Sequence, residues 1–430
     1  MRFVRTFFRF GWGVLTNLSM ALVLLLLMSD STIAQANSFD VRLSTVASTQ
    51  RFDIVDWVIR SLVRKVGDRL SIDPSQLSEA ERKELALRYF KLAHEEEELR
   101  GKLLQRRAQS APASELKELE AQLTRKRADK LALERNIEEI IAAWVGQSAL
   151  NEGLVSDWPL VAGKIFPPPL FKFVAPPQLL VLSYRERIET KRTVHLSPAL
   201  SLSEIEAIEA DAEKLGVSAL VVGLGGIGTY PTMVLETSLY EWTLDVTAHE
   251  WVHNYLNMRP LGWHYSDNGR MTTINETAAN MAGNELGRRI RGEPPPEYED
   301  DPEEAPARAS QPPKPQEFSF NREMRQTRLQ VDELLQAGQV EEAEAYMEVR
   351  RKLFVARGYN LRKLNQAYFA FYGSYADGGV GAVNPIGGEL KRLRKTSGSL
   401  KIFLESLSRV SNFEEYRALL KEKGVPEGKR

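Results

Sequence analysis

Thr247-Ala248-His249-Glu250-Trp251-Val252-His253 is an HExxH pattern, and Asn275-Glu276-Thr277-Ala278-Ala279-Asn280 follows it downstream. On a helix, His249 and His253 are four residues apart and share one face, so both imidazoles can reach one metal ion. Glu250 then points beside that ion, where a base could activate water. Leu244, Val246, Ala248, Val252 and Leu256 make this helix, predicted over Ser238 to Met258, largely apolar, as a buried site helix should be. Glu276, on a second predicted helix from Thr273 to Arg291, supplies a third ligand. Two neutral imidazoles and a carboxylate suit zinc (Zn2+), and a fourth position left open makes such a site catalytic rather than structural.

Other third ligands fail or stay secondary. A metzincin needs Gly at position 256 and His at 259, and the chain has Leu256 and Arg259. His264 and Asp267 are within reach by sequence but share no helix with the motif, so His264 reads as a supporting or substrate-contacting group. HExxH followed by NExxA resembles the gluzincin metallopeptidases. That resemblance implies that His249, His253 and Glu276 bind zinc and that Glu250 is the general base. It also implies that Asn280, one turn after Glu276, orients a ligand histidine. The gap from His253 to Glu276 is a few residues longer than in the best-known gluzincins, so the connecting loop must differ.

The chain has 430 residues, a net charge of -1 and no cysteine. Nothing in that balance argues for a nucleic-acid partner, and disulfides and thiolate ligands are excluded. Arg2, Arg5 and Arg9 precede an uncharged run from Phe10 to Ser29. The run is long enough for a membrane-spanning helix, with the arginines left inside and the remainder outside the cytoplasm. It also reads as a signal peptide cleaved after Ala34-Gln35-Ala36, which would give a secreted protein. Leu85, Tyr89, Leu92, Leu99 and Leu103, then Leu116, Leu119, Leu123, Leu133, Ile137, Ile140 and Trp144, keep a three-four spacing across a break at 109–114. This predicts an antiparallel coiled-coil hairpin, with two ordinary surface helices as the alternative; Lys126 and Lys130 fall on the seam and weaken it.

Beyond residue 150, strands are predicted at Leu179 to Ser183, near Arg192 to Leu196, and at Ala219 to Val222. His195 reads as a strand surface residue rather than a ligand. A helix is predicted from Ser201 to Leu215, with Ser203 and Glu206 as a capping box. Gly223-Leu224-Gly225-Gly226-Ile227-Gly228 matches GxGxxG, but no helix opens there, so it is no dinucleotide fingerprint. Gly223 to Tyr230 reads either as an edge along which a substrate backbone pairs or as a bulged strand and turn. Residues 292–318 read as a disordered acidic, Pro-rich loop. Leu364 to Tyr375 is similar to the Asn- and Tyr-bearing stretch that follows NExxA in a bacterial family of zinc aminopeptidases. That likeness implies a phenol donating to an oxyanion, with Tyr375 before Tyr372, and Gly378-Gly379-Val380-Gly381 as a flexible rim. The GxMEN exopeptidase motif is absent.

The expected fold class is α+β: a zincin-like metallopeptidase domain over 151–430, with an N-terminal signal or membrane segment over 1–40 and a helical region with a coiled-coil hairpin over 41–150. The expected function is a zinc metallopeptidase acting on peptide or protein substrates, cell-membrane-anchored with its catalytic domain extracytoplasmic, and possessing a hairpin able to take a protein partner. The alternative is a membrane-anchored envelope interaction protein with a structural or vestigial zinc site.

Overall fold

The computed structural model describes residues 38–68, 77–156, 161–298, 318–375 and 385–428. The chain opens with α1 (Ser38–Val46) and α2 (Ile54–Asp68), then the long pair α3 (Glu79–Ala108) and α4 (Ala113–Asn151). Six strands follow: β1 (Phe171–Val174), β2 (Gln178–Ser183), β3 (Thr190–Leu196), β4 (Ser218–Val222), β5 (Gly226–Ile227) and β6 (Thr232–Leu235), with α5 (Leu202–Glu213) between β3 and β4. The motif helix is α6 (Tyr240–Leu256). After it come α7 (Pro260–Trp263), α8 (Gly269–Arg291), α9 (Phe320–Gln336), α10 (Val340–Ala356), α11 (Gln366–Tyr372), α12 (Ile386–Thr396), α13 (Leu400–Ser408) and α14 (Phe413–Glu422).

The expected fold class is corrected here. In place of an α+β zincin-like domain with a membrane segment, the described residues form a mixed helix-and-sheet structure that is 62% helical. No helix among them is long and apolar enough to cross a membrane. The strands are short and fall into two separate three-stranded sheets, ordered β1-β6-β5 and β3-β2-β4, so helix packing carries most of the core. The apolar run at 10–29, the Ala34-Gln35-Ala36 site, most of the acidic loop and Gly378 to Gly381 lie outside the described residues.

The β3-β2-β4 sheet is antiparallel throughout and covered on both faces. Leu179 and Val181 pack with Leu220 and Val222 toward α9, α10 and α11, while Leu180 and Leu182 pack with Ala219 and Val221 toward α1 and α5. Side chains of a strand alternate between faces, so a strand buried on both reads as the unbroken apolar run seen at 179–182. The α5 cap sits two residues before the predicted one: Ser201 and Glu204 form the reciprocal capping box. The largest core cluster joins the inner halves of α3 and α4 to β1, β6, α6, α8 and the C-terminal helices. Within it Ile137, Ile140, Ile141 and Val145 of α4 are fully buried.

The lysines expected to weaken the hairpin seam instead fasten it. Lys130 is buried, and its Nζ lies 2.7 Å from Glu96 on α3 and 2.5 Å from Glu236. Glu236 follows β6 directly and also accepts the Tyr89 hydroxyl at 2.7 Å. One ammonium therefore ties α3, α4 and the β6–α6 turn together. Lys126 pairs with Glu95 at 2.6 Å in a more exposed position. Burial, then the neighbouring Glu138 and Glu236, pushes the Glu134 carboxyl up to about 7.

Two outcomes follow from these charges. Lys130→Met removes the ammonium shared by Glu96 and Glu236, which keep Arg100 at 2.9 Å and the Tyr89 hydroxyl at 2.7 Å, and should destabilise the fold by about 2 kcal/mol in urea titrations, whereas Lys126→Ala should cost about 1 kcal/mol or less. A carboxyl raised from 4.5 to about 7 binds more protons folded than unfolded between those values, so its contribution to stability is lost as pH rises through that window. Glu134→Gln should therefore raise the melting temperature at pH 8 and leave it nearly unchanged at pH 4.5.

Candidate metal centre

Helices α6 and α8 form the tightest helix pair around the motif. On α8, Ala279, Gly283 and Gly287 recur every fourth residue and so share one face. A Cβ added at Gly283 would lie 2.6 Å from the backbone N and Cα of His249, so only glycine allows this approach. The N-cap Asn268, whose Oδ1 accepts from the amides of Arg270 and Met271 at 3.1 Å, starts α8 four residues before the predicted Thr273. Gly292, left-handed at φ 76, ends it.

This contact brings His249, His253 and Glu276 together: one ligand atom from each lies within 4.8 Å of the others. The two Nε2 atoms are 3.0 Å apart. Glu276 Oε2 is 3.7 Å from that of His249 and 3.5 Å from that of His253. Oε2 is buried without a hydrogen-bond partner. Two facing imidazole nitrogens and an orphaned carboxylate oxygen are what a shared cation would satisfy, and two nitrogens with one oxygen match zinc. Burial opposes the charge on Glu276, yet His253 and His249 beside it hold its carboxyl well below the usual range. Burial alone would lower His253; Glu276 outweighs it and pushes the imidazole up to about 9.

The surroundings fix how these groups point. Asn275 donates its amide to the Leu261 carbonyl at 3.3 Å, which turns its Oδ1 toward His253 Nδ1 at 2.9 Å. That nitrogen must then carry a proton, which leaves Nε2 as the ring atom that faces Glu276 Oε2 and that a shared cation would engage. Tyr265 donates to Glu276 Oε1 at 2.5 Å, so only Oε2 is free to act as a ligand. Burial, then Glu276, pushes the Tyr265 phenol well above its ordinary value and keeps it a donor. The long gap between His253 and Glu276 holds α7 and the turn that delivers Tyr265.

Glu250 is buried beside the pair of histidines, and burial pushes its carboxyl up against their opposing pull. It packs on the Gly-rich strand: a Cβ at Gly226 would lie 2.7 Å from Glu250 Cγ and Oε1, and one at Gly228 would lie 3.0 Å from His253 Cβ. Asn254 fastens this loop to α6 by donating to the Thr229 carbonyl at 3.1 Å and to Thr232 Oγ1 at 2.9 Å. β5 is one of the two edge strands of its sheet. The Tyr375 ring lies 6.4 Å from the His249 ring, and Glu276, then burial, holds its phenol protonated well above the ordinary value. Tyr372 instead packs at a tilt against Tyr368, ring centroids 4.5 Å apart, within the aromatic cluster of α11.

His264 bonds Asp267 at 2.7 Å at the surface and stands outside the ligand group. His195 is half-buried on β3, and burial pushes it down to about 4. Asn275 and Tyr265 escape sequence reading. Asn275 precedes Glu276 inside the quoted motif, and Tyr265 follows the considered His264, so position alone was the available signal. No family model, curated protein or solved structure matches the chain.

Asn275→Ala and Tyr265→Phe should each weaken zinc binding by about 10- to 100-fold, read by competition with a chromogenic chelator. His264→Ala should leave that affinity unchanged.

Proposed function

We propose that this chain is a zinc-dependent peptidase with a gluzincin-like ligand set, His249, His253 and Glu276 as ligands and Glu250 as general base. The observation that carries the reading is a buried carboxylate, Glu250, set beside three converging ligand atoms whose only oxygen is orphaned. A purely structural site has no use for it. Zinc held there supplies Lewis acidity at a scissile carbonyl and lowers the pKa of water to about 7.

The chain's own groups supply the rest. Glu250, its basicity raised by burial, takes the proton of the attacking water and returns it to the leaving amine. Tyr375, kept protonated beside Glu276, donates to the oxyanion of the tetrahedral adduct. Asn275 and Tyr265 hold His253 and Glu276 in place. A peptide backbone laid along the edge of β5 would run next to Glu250, because Gly226 lets that carboxylate lie directly on the strand.

Full-length protein incubated with a peptide library, with and without a chelator, tests this by mass spectrometry of the products. Zinc-dependent cleavage is expected, and Glu250→Gln should lower kcat by about 10²- to 10⁴-fold while zinc content stays equimolar. Unchanged cleavage by zinc-loaded Glu250→Gln would falsify the assignment.

A further inference from the structure

Arg328, on α9, carries a side chain only 15% exposed. Its Nε donates to Asp332 Oδ2 at 2.9 Å, one turn along the same helix. Among the described residues no acceptor meets Nη1 or Nη2. Similarly buried arginines in this chain behave otherwise. Arg291, Arg350 and Arg394 each place an Nη nitrogen on a carboxylate oxygen, of Asp245, Glu323 and Glu285 respectively. A guanidinium has five donors, and those of Nη1 and Nη2, met by no described side chain or carbonyl, are open to an acceptor from outside. Burial pushes the Arg328 guanidinium down, and Asp332 alone opposes it.

Its position gives those donors a use. The Phe369 ring lies 5.6 Å from the guanidinium carbon. Nη1 would stand 3.3 Å from a Cβ at position 373, which is Gly373. Ser374 follows, and its carbonyl accepts from Thr277, the residue after Glu276, at 3.4 Å. Tyr375 comes next, beside His249. The strip Gly373-Ser374-Tyr375 therefore runs from the guanidinium to the ligand group, and its residue nearest Arg328 has no side chain to block the Nη nitrogens.

We propose that Arg328 binds a carboxylate of the substrate, in a subsite adjoining the metal group. Two Nη donors in a planar fork match a carboxylate, and Asp332 holds the fork by its third edge. The inference rests on the peptidase reading for its substrate class, and on the Arg328 contacts alone for its chemistry. The carboxylate is either the free C-terminus of a peptide or an acidic side chain.

Calorimetry on full-length, zinc-loaded Glu250→Gln protein measures binding without turnover. Three matched peptides are compared: a free C-terminal acid, its neutral C-terminal amide, and an amide bearing one Glu side chain. One or both carboxylate peptides should bind about 10- to 100-fold tighter than the neutral amide; which one does identifies the source. Adding Arg328→Gln should erase the difference, whereas Asp332→Asn, which keeps the guanidinium, should preserve it. Equal or absent binding of all three, or a difference that survives in a folded Arg328→Gln protein, overturns the proposal. If the difference is present but Glu250-intact protein cleaves no peptide, the peptidase reading fails and the carboxylate subsite stands. If that protein cleaves acids and amides equally well and binds them equally, the subsite fails and the peptidase reading stands.

Discussion

The contact between α6 and α8 is the constraint on which the rest depends. A Cβ at Gly283 would run into the backbone of His249 and one at Gly287 into the carboxylate of Asp245, so the two helices meet along a line where α8 has almost no side chains. Only at that separation can a glutamate on one helix reach histidines on the other. The apolar side chains of α6 and α8 that point away from the line, among them Leu244, Val252, Ile274 and Leu286, belong to the largest core. Burying them supplies the free energy that holds charged and polar ligands in a nearly dry place.

The hairpin is part of the same arrangement. Lys130 reaches Glu236, which stands between β6 and α6, so the support of the motif helix extends into α3 and α4. Glu138, also on α4, accepts the Phe173 amide at 2.8 Å and pairs with Lys65 of α2 at 2.7 Å. Buried ion pairs of this kind add little net stability over apolar packing, but a lost partner is costly, so they fix one arrangement of helices against strands.

Much of the site is legible in the sequence because its geometry is local. The shared face of His249 and His253 follows from helical periodicity, and the small residues after Glu276 are visible in the chain. Helix ends lie within a few residues of expectation where a cap marks them, as at Ser201, though the choice between Ser201 and Ser203 needs the Glu204 contact. What escapes is long-range. Nothing periodic marks Tyr265 as a partner of Glu276 or Asn275 as a partner of His253, since both contacts close across a turn. The fold class is misread for a related reason. Apolar runs such as 179–182 and 219–222 give strands but not their division between two small sheets. Lys130 is misjudged because its two carboxylate partners come from separate elements.

The glycine-limited contact of α6 with α8 has one more effect. A site whose two backbones already touch cannot tighten by moving them, and it cannot widen without opening the core. Only side-chain rotations remain to adapt three donors to a cation. Calcium needs six to eight oxygens at 2.3–2.6 Å, and magnesium needs a nearly complete octahedron. Neither demand is met by two imidazoles and one oxygen on fixed supports. For a cation bound there, the missing Cβ of Gly283 would act as a filter on ionic radius and coordination number, set by helix packing rather than by the side chains themselves.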